Sequence, residues 1–198
     1  MSPKLRLILA HGAGQGMDSD FMLAYDKALN GYGVGVTRFN FPYMQRMTKE
    51  ARRLPPDRMP KLIEAFKAEV QAHENESALF IGGKSMGGRV ASLICDELES
   101  VKGCICLGYP FHPPGKPEKL RTEHLLTQKK PTLILQGTRD PFGKPDEIAS
   151  YELSEQVQVS YLESGEHSFK PIKSSGFTQQ ELIEKAAELA AEYMVNHA

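Results

Sequence analysis

The chain has 198 residues and a mass of 22.0 kDa, enough for about one domain with a core of its own, which excludes a miniprotein held together by disulfides. Hydrophobic residues make up 40% and charged residues 25%, the composition of an ordinary globular protein rather than of a disordered or fibrous one. Twenty-four basic side chains against 25 acidic ones leave a formal charge of −1, without the positive field of a dedicated nucleic-acid binder.

The apolar runs Leu7 to Ala10 and Leu133 to Leu135 are far shorter than a bilayer requires, and no secretory apolar region follows Lys4 and Arg6; a cytoplasmic chain without a membrane span is expected. The odd set Cys95, Cys104 and Cys106, two of them alternating in an apolar run, reads as core packing rather than disulfides.

Short β-type runs alternate with amphipathic helical ones along the whole chain, the pattern of an α/β fold with a mostly parallel sheet covered on both faces. The first strand, Leu5 to Ala10, runs into the turn His11, Gly12, Ala13, Gly14, and a helix over Asp20 to Asn30 stops at Gly31 and Gly33. A strand from Gly35 to Phe41, a loop to Pro60 and a helix from Pro60 to His73 come next. Leu62, Ile63, Phe66 and Val70 share one face of that helix. Strand Ala78 to Gly82, helix Met86 to Leu98, strands Gly103 to Leu107 and Thr132 to Gly137, a helix around Pro145 to Glu155 and strand Val157 to Leu162 continue the alternation. Thr178 and Glu181 have the spacing of a capping box, and Leu182, Ile183, Ala186, Leu189, Ala190 and Tyr193 line the apolar face of the helix that follows. No repeat or linker divides the chain, so residues 1–198 are expected to form one domain of about six strands.

The third strand leads into Gly83, Lys84, Ser85, Met86, Gly87, a G-x-S-x-G sequence between strand and helix, where a tight turn lifts a serine hydroxyl above the sheet. Ser85 is thus the candidate nucleophile. Gly83, Gly87 and Gly88 allow the helix to pack close to the strand, and the Met86 N–H at the helix start is a candidate oxyanion donor. A second donor is expected from the turn after the first strand, the N–H of Ala13, with His11 shaping that turn. A neutral serine needs a base, and the base needs a partner that fixes its tautomer. Asp140 follows the strand ending at Gly137 and His167 follows the last strand, giving the order Ser, Asp, His with steps of 55 and 27 residues.

Through Gly83 to Gly87, the His11 to Gly14 turn, Asp140 and His167, the chain resembles the α/β-hydrolase superfamily over nearly its full length. The segments Arg38 to Tyr43 and Tyr109 to Pro114 are similar to a compact, lidless group within it. That group includes dienelactone-hydrolase-like bacterial proteins, testis-expressed proteins and a subunit of the nonspecific lethal acetyltransferase complex. The resemblance implies a three-layer sandwich without a cap domain; the sequence departs from the full pattern by starting directly at the strand before the His11 to Gly14 turn, so the usual N-terminal antiparallel strands are expected to be missing.

Rival motifs are incomplete. A P-loop would need glycine where Ala78 stands, a dinucleotide fingerprint would need glycine where Met17 stands, and the six histidines lack paired ligand spacing. No metal or cofactor is therefore expected. The expected function is hydrolysis of a small soluble ester or thioester through an acyl-Ser85 intermediate, with His167 as base and Asp140 as its orienter. The alternative is a catalytically silent scaffold of the same fold. Tyr43, Tyr109 and Phe111, in strand-end loops, are candidates to line the acyl pocket. Residues 41–60 and 109–131 each carry five basic against two acidic side chains, which suggests a positive rim on the active face that steers anionic substrates.

Overall fold

A computed structural model describes residues 4–75 and 78–198. Six strands, β1 (Leu5–Ala10), β2 (Gly35–Phe39), β3 (Ala78–Lys84), β4 (Val101–Leu107), β5 (Thr132–Gly137) and β6 (Val157–Leu162), form one sheet in the order β2-β1-β3-β4-β5-β6, every pair parallel. Parallel neighbours need crossovers, and the helices that make them cover both faces. Strand residues alternate between two cores. Leu5, Leu7, Leu9, Phe80, Ile105 and Leu135 face helices α1 (Asp20–Gly31) and α6 (Gln179–Asn196), which pack against each other. Ile8, Ala10, Leu79, Ile81, Cys104 and Cys106 face α2 (Pro42–Glu50), α3 (Met59–Gln71) and α4 (Met86–Ile94) on the other side. The three-layer α/β sandwich expected from the alternation is the observed fold.

The sheet order decides where a site can form. After β1 the chain moves out to β2, and from β3 onward it proceeds the other way, so the connections reverse between β1 and β3. A crevice opens outside the C-terminal strand ends at such a point. Ala10 pairs with Gly83 there, which sets the His11 to Gly14 turn beside Ser85.

Several element limits differ from the sequence expectation, each for a local reason. Residues 42–50 are helix rather than loop: Pro42 sits at the first helical position, where its missing N–H costs nothing, and Tyr43 and Met44 are the buried face of an otherwise polar helix. This ends β2 at Phe39. The helix expected to reach Glu155 stops as α5 (Pro145–Ile148), because the Ser154 N–H donates to Leu125 O and its hydroxyl to Gln128 O, drawing the chain into extended form. The helix after Ser85 tightens into a 3₁₀ turn at Cys95–Glu97 instead of running on to Leu98. Thr178 caps α6 with the reciprocal bonds of a capping box to Glu181, as its spacing predicts. The three cysteines are free and buried. Among the described residues no helix is long and apolar enough to cross a membrane.

Candidate active site

Ser85 occupies the turn between β3 and α4 with φ 50° and ψ −113°, a conformation that costs a non-glycine residue roughly 1–3 kcal/mol. The surroundings enforce it. Its N–H donates to Leu107 O at 2.8 Å, and its carbonyl accepts from Arg89 N at 3.0 Å. A Cβ on Gly83 would lie 2.5 Å from the Gly87 carbonyl carbon, and one on Gly87 would lie 2.6 Å from both Ala10 O and His11 O. Only glycines let strand, turn and helix meet so closely.

The loops after β5 and β6 bring the other two groups to it. His167 Nε2 is 2.8 Å from Ser85 Oγ, and its Nδ1 is 2.8 Å from Asp140 Oδ2. The carboxylate fixes the tautomer: Nδ1–H donates to Asp140, which leaves Nε2 to accept the serine proton. Asp140 is fully buried, whereas the His167 side chain keeps 17% of its surface exposed. Burying a carboxylate requires partners, and Asp140 has them in Phe142 N–H (2.9 Å) and Gln136 Nε2 (3.1 Å). Gln136 also bonds both backbone groups of Tyr109, tying β5 to the start of the next loop. Phe142 stacks on the imidazole with ring centroids 4.1 Å apart.

Lys84, next to the serine, is almost wholly buried and donates to His167 O at 2.8 Å, with its ammonium 5.3 Å from the centre of the Phe21 ring. Burial lowers its pKa to about 8 against the pull of Asp140 and Glu166. Sequence reading overlooked Gln136, Phe142 and Lys84. The signal available was a single glutamine and a single lysine at the ends of otherwise apolar strands, positions where a polar side chain needs a reason.

The turn after β1 is braced from two sides. His11 Nε2 accepts from Phe41 N–H at 3.0 Å, so its Nδ1–H donates to Gly12 O at 2.6 Å; burial lowers its pKa despite that bond, keeping it neutral. Tyr43 Oη donates to Ala13 O at 2.9 Å. Neither Ala13 N–H nor Met86 N–H donates to an acceptor within the described chain. Both residues border the clefts at Ser85.

Two clefts meet at the serine. One, of about 340 Å³, is lined by Gly14, Phe21, Met22, Lys84, His167 and Ser168; the other, of about 300 Å³, by Asp57, Met59, Leu62, Met86, Arg89 and Arg121. Ala13, Ser85 and Phe142 belong to both, so residues 111–120 do not seal the serine off. The expected pocket residues Tyr43, Tyr109 and Phe111 line neither cleft. All three are fully buried: Tyr43 braces the turn after β1, Tyr109 donates to Arg121 O at 2.8 Å, and Phe111 packs edge-on against Tyr109. Large rings at strand ends here fill the core beneath the site rather than the site.

The positive rim is also redistributed. Arg46 is paired with Asp57 and Arg52 with Glu50. Lys129 and Lys130 sit at the opposite end of the sheet, where their N–H groups bond Asp96 and the Lys130 ammonium meets Leu98 O and Val101 O. The positive charge lining the cleft beside Met86 comes from Arg121 and from Arg89, a helix residue outside both segments, with Asp57 as the acid there. Among the described residues no three His, Cys, Asp or Glu side chains stand together as metal ligands.

The model of the alpha/beta hydrolase domain family matches residues 3–195. Similar solved structures include a dienelactone hydrolase from Anabaena variabilis (20% identity, TM-score 0.74, covering 98% of this chain and 87% of that one). Another is Est1E from Butyrivibrio proteoclasticus with ferulic acid bound (16%, TM-score 0.70, 97% and 90%), and a third is an esterase from Pyrococcus furiosus (15%, TM-score 0.73, 98% and 82%). At these identities the likeness is one of fold. The match over almost the whole chain places this protein in the alpha/beta hydrolase domain family.

Proposed function

We propose that the protein is a serine hydrolase that cleaves small esters or thioesters through an acyl-enzyme. The observation that carries this reading is the unbroken hydrogen-bonded line Ser85, His167, Asp140, 2.8 Å at each step, opening onto a cleft from a strained serine. Ser85 Oγ attacks the carbonyl carbon as His167 Nε2 takes its proton. The imidazolium so formed faces the Asp140 carboxylate, which stabilises it without accepting the proton. Negative charge grows on the carbonyl oxygen, and the free N–H groups of Ala13 and Met86 are the donors available for it. His167 then gives its proton to the leaving oxygen or sulfur. In the second half-reaction it takes one from water, whose hydroxide part displaces Ser85 and releases the acid.

Lys84 and Gln136 act at one remove. The first holds the backbone of the His167 loop, and the second holds the Asp140 carboxylate at a fixed angle. Hydrolysis of p-nitrophenyl acetate and butyrate tests the reading. The wild type should turn both over, and Ser85→Ala should lose at least about a thousandfold in kcat; equal rates for the two proteins would refute it.

A further inference from the structure

The leaving group has to receive its proton from His167, so it lies on the His167 side of Ser85, in the cleft with Lys84 and Ser168. The acyl chain is left with the other cleft. That cleft starts at Ser85 and Met86 and is lined farther on by Arg89 and Arg121. Arg89 stands one helical turn beyond the nucleophile, about 6 Å along the axis of α4. Its Nε is buried without a hydrogen-bond partner, and neither guanidinium forms an ion pair among the described residues.

The two cations are close enough to feel each other: burial first and the charge of Arg89 second depress the pKa of Arg121. His124 adds no counter-charge. Asp57, the one acid lining the cleft among the described residues, pairs through Oδ1 with Arg46 at 2.7 Å and Lys61 at 3.6 Å, while its Oδ2 is buried without a hydrogen-bond partner. Two like charges at the wall of a cleft, with the buried Arg89 Nε–H unmet, are costly in the free protein. A carboxylate between them would satisfy both, because its two oxygens fit the planar fork of a guanidinium.

We propose that Arg89 and Arg121 form a carboxylate subsite for the far end of the acyl chain, so that the preferred substrates are monoesters or monothioesters of short dicarboxylic acids. This rests on the serine hydrolase reading above. The chemistry is the same: the Ser85–acyl bond forms as the bond to the alcohol or thiol breaks, that group leaves with the proton from His167, and water releases the free diacid. A volume of about 300 Å³ suits an acyl chain of a few carbons.

Methyl hydrogen glutarate and methyl pentanoate have the same chain length and differ in the terminal carboxylate, so their kcat/KM ratio measures the subsite. The wild-type ratio should favour the hemiester by on the order of tenfold to a hundredfold at low salt and fall as salt is added. Arg121→Gln should bring the ratio close to one, and Arg89→Lys, which keeps the charge and loses the fork, should lower it by less. A wild-type ratio of one, or a ratio that neither variant changes, overturns the proposal and leaves the hydrolase reading standing. Binding is read separately from turnover by the thermal shift that glutarate, pentanoate and inorganic phosphate produce in the wild type and Ser85→Ala. Glutarate alone should raise the melting temperature, and Arg121→Gln should abolish the effect. If neither these esters nor the p-nitrophenyl esters are hydrolysed but glutarate still stabilises, the hydrolase reading fails and the subsite survives. Equal shifts from all three compounds, or none, overturn the subsite.

Discussion

Two serine–histidine pairs in this protein have the same length and opposite characters. Ser85 Oγ and Ser92 Oγ each lie 2.8 Å from the Nε2 of a histidine, His167 and His124 respectively. Ser92 sits within α4, buried, and its hydroxyl can also donate to Arg89 O at 2.9 Å. That network is satisfied when His124 carries its proton on Nε2 and gives it to Ser92, the wrong polarity for a base. Among the described residues no carboxylate bonds its Nδ1, and burial together with the charge of Arg89 lowers its pKa to about 4 against the weaker pull of Asp96. Ser85 has the reverse of each feature: a carboxylate behind the imidazole, a cleft in front and free N–H groups beside it. The distance is common to both pairs. What separates them is the polarity imposed by Asp140 and access to a carbonyl.

The sharpest way to break this contrast is to make the first pair like the second. Asp140→Asn should keep the His167 contact but favour the wrong tautomer, lowering kcat/KM on a p-nitrophenyl ester by about 10⁴-fold; a loss under tenfold would mean that the carboxylate does not set the polarity. A smaller effect is expected one step back from the site. Tyr43→Phe frees the carbonyl of Ala13 and leaves that of Gly12 to His11 alone, and kcat should fall by roughly tenfold with KM little changed, as expected for a donor needed mainly in the transition state. A change confined to KM would place Tyr43 in ground-state binding instead.

Backbone strain offers a comparison in stability rather than rate. Glycine at position 85 relieves the strained φ, so Ser85→Gly should be more stable than Ser85→Ala by about 1–2 kcal/mol in urea unfolding. At position 92, inside the helix, the order should invert, with glycine less stable than alanine by roughly 0.5–1 kcal/mol. The same order at both sites would remove the argument that the turn holds Ser85 under strain.

The mildest test is acid. His124 has a folded pKa of about 4, below the ordinary value of 6.5, so the unfolded chain binds the proton more readily over that interval. The stability in question is whole above pH 6.5 and is lost as the pH falls toward 4. His11, also depressed by burial, acts with the same sign. His124→Gln should therefore lose less stability than the wild type between pH 7 and pH 4.5 in urea titrations. Parallel losses would show that His124 is not held neutral by the fold.

The layers of the molecule were legible in the sequence because strand period, glycine stops and the capping box act locally. The three triad candidates were legible because strand-end position is itself a local property: Ser85, Asp140 and His167 each follow a recognisable apolar run. What lay beyond sequence depends on contacts far apart in the chain. Tyr43, Tyr109 and Phe111 were assigned to a pocket by position, yet their rings turn inward because the gaps beneath the turns need filling. The charge of the cleft was misplaced for a related reason: Lys130 and Arg121 share one segment but serve opposite ends of the sheet, and Arg89 comes from a helix whose only advertised residue was the serine before it. Helix α2 does carry a helical stripe, Tyr43, Met44 and Met47, but it spans little more than one turn in a segment otherwise rich in charge and proline.

On this reading Ser85, and not Ser92, is an activated nucleophile. The most direct test is labelling of the purified protein with a fluorophosphonate, with the modified residue located by peptide mass spectrometry. One rapid adduct is expected, on Ser85, absent from Ser85→Ala and His167→Ala and retained in Ser92→Ala. A folded wild type that takes no label, or takes it on another residue, would contradict it.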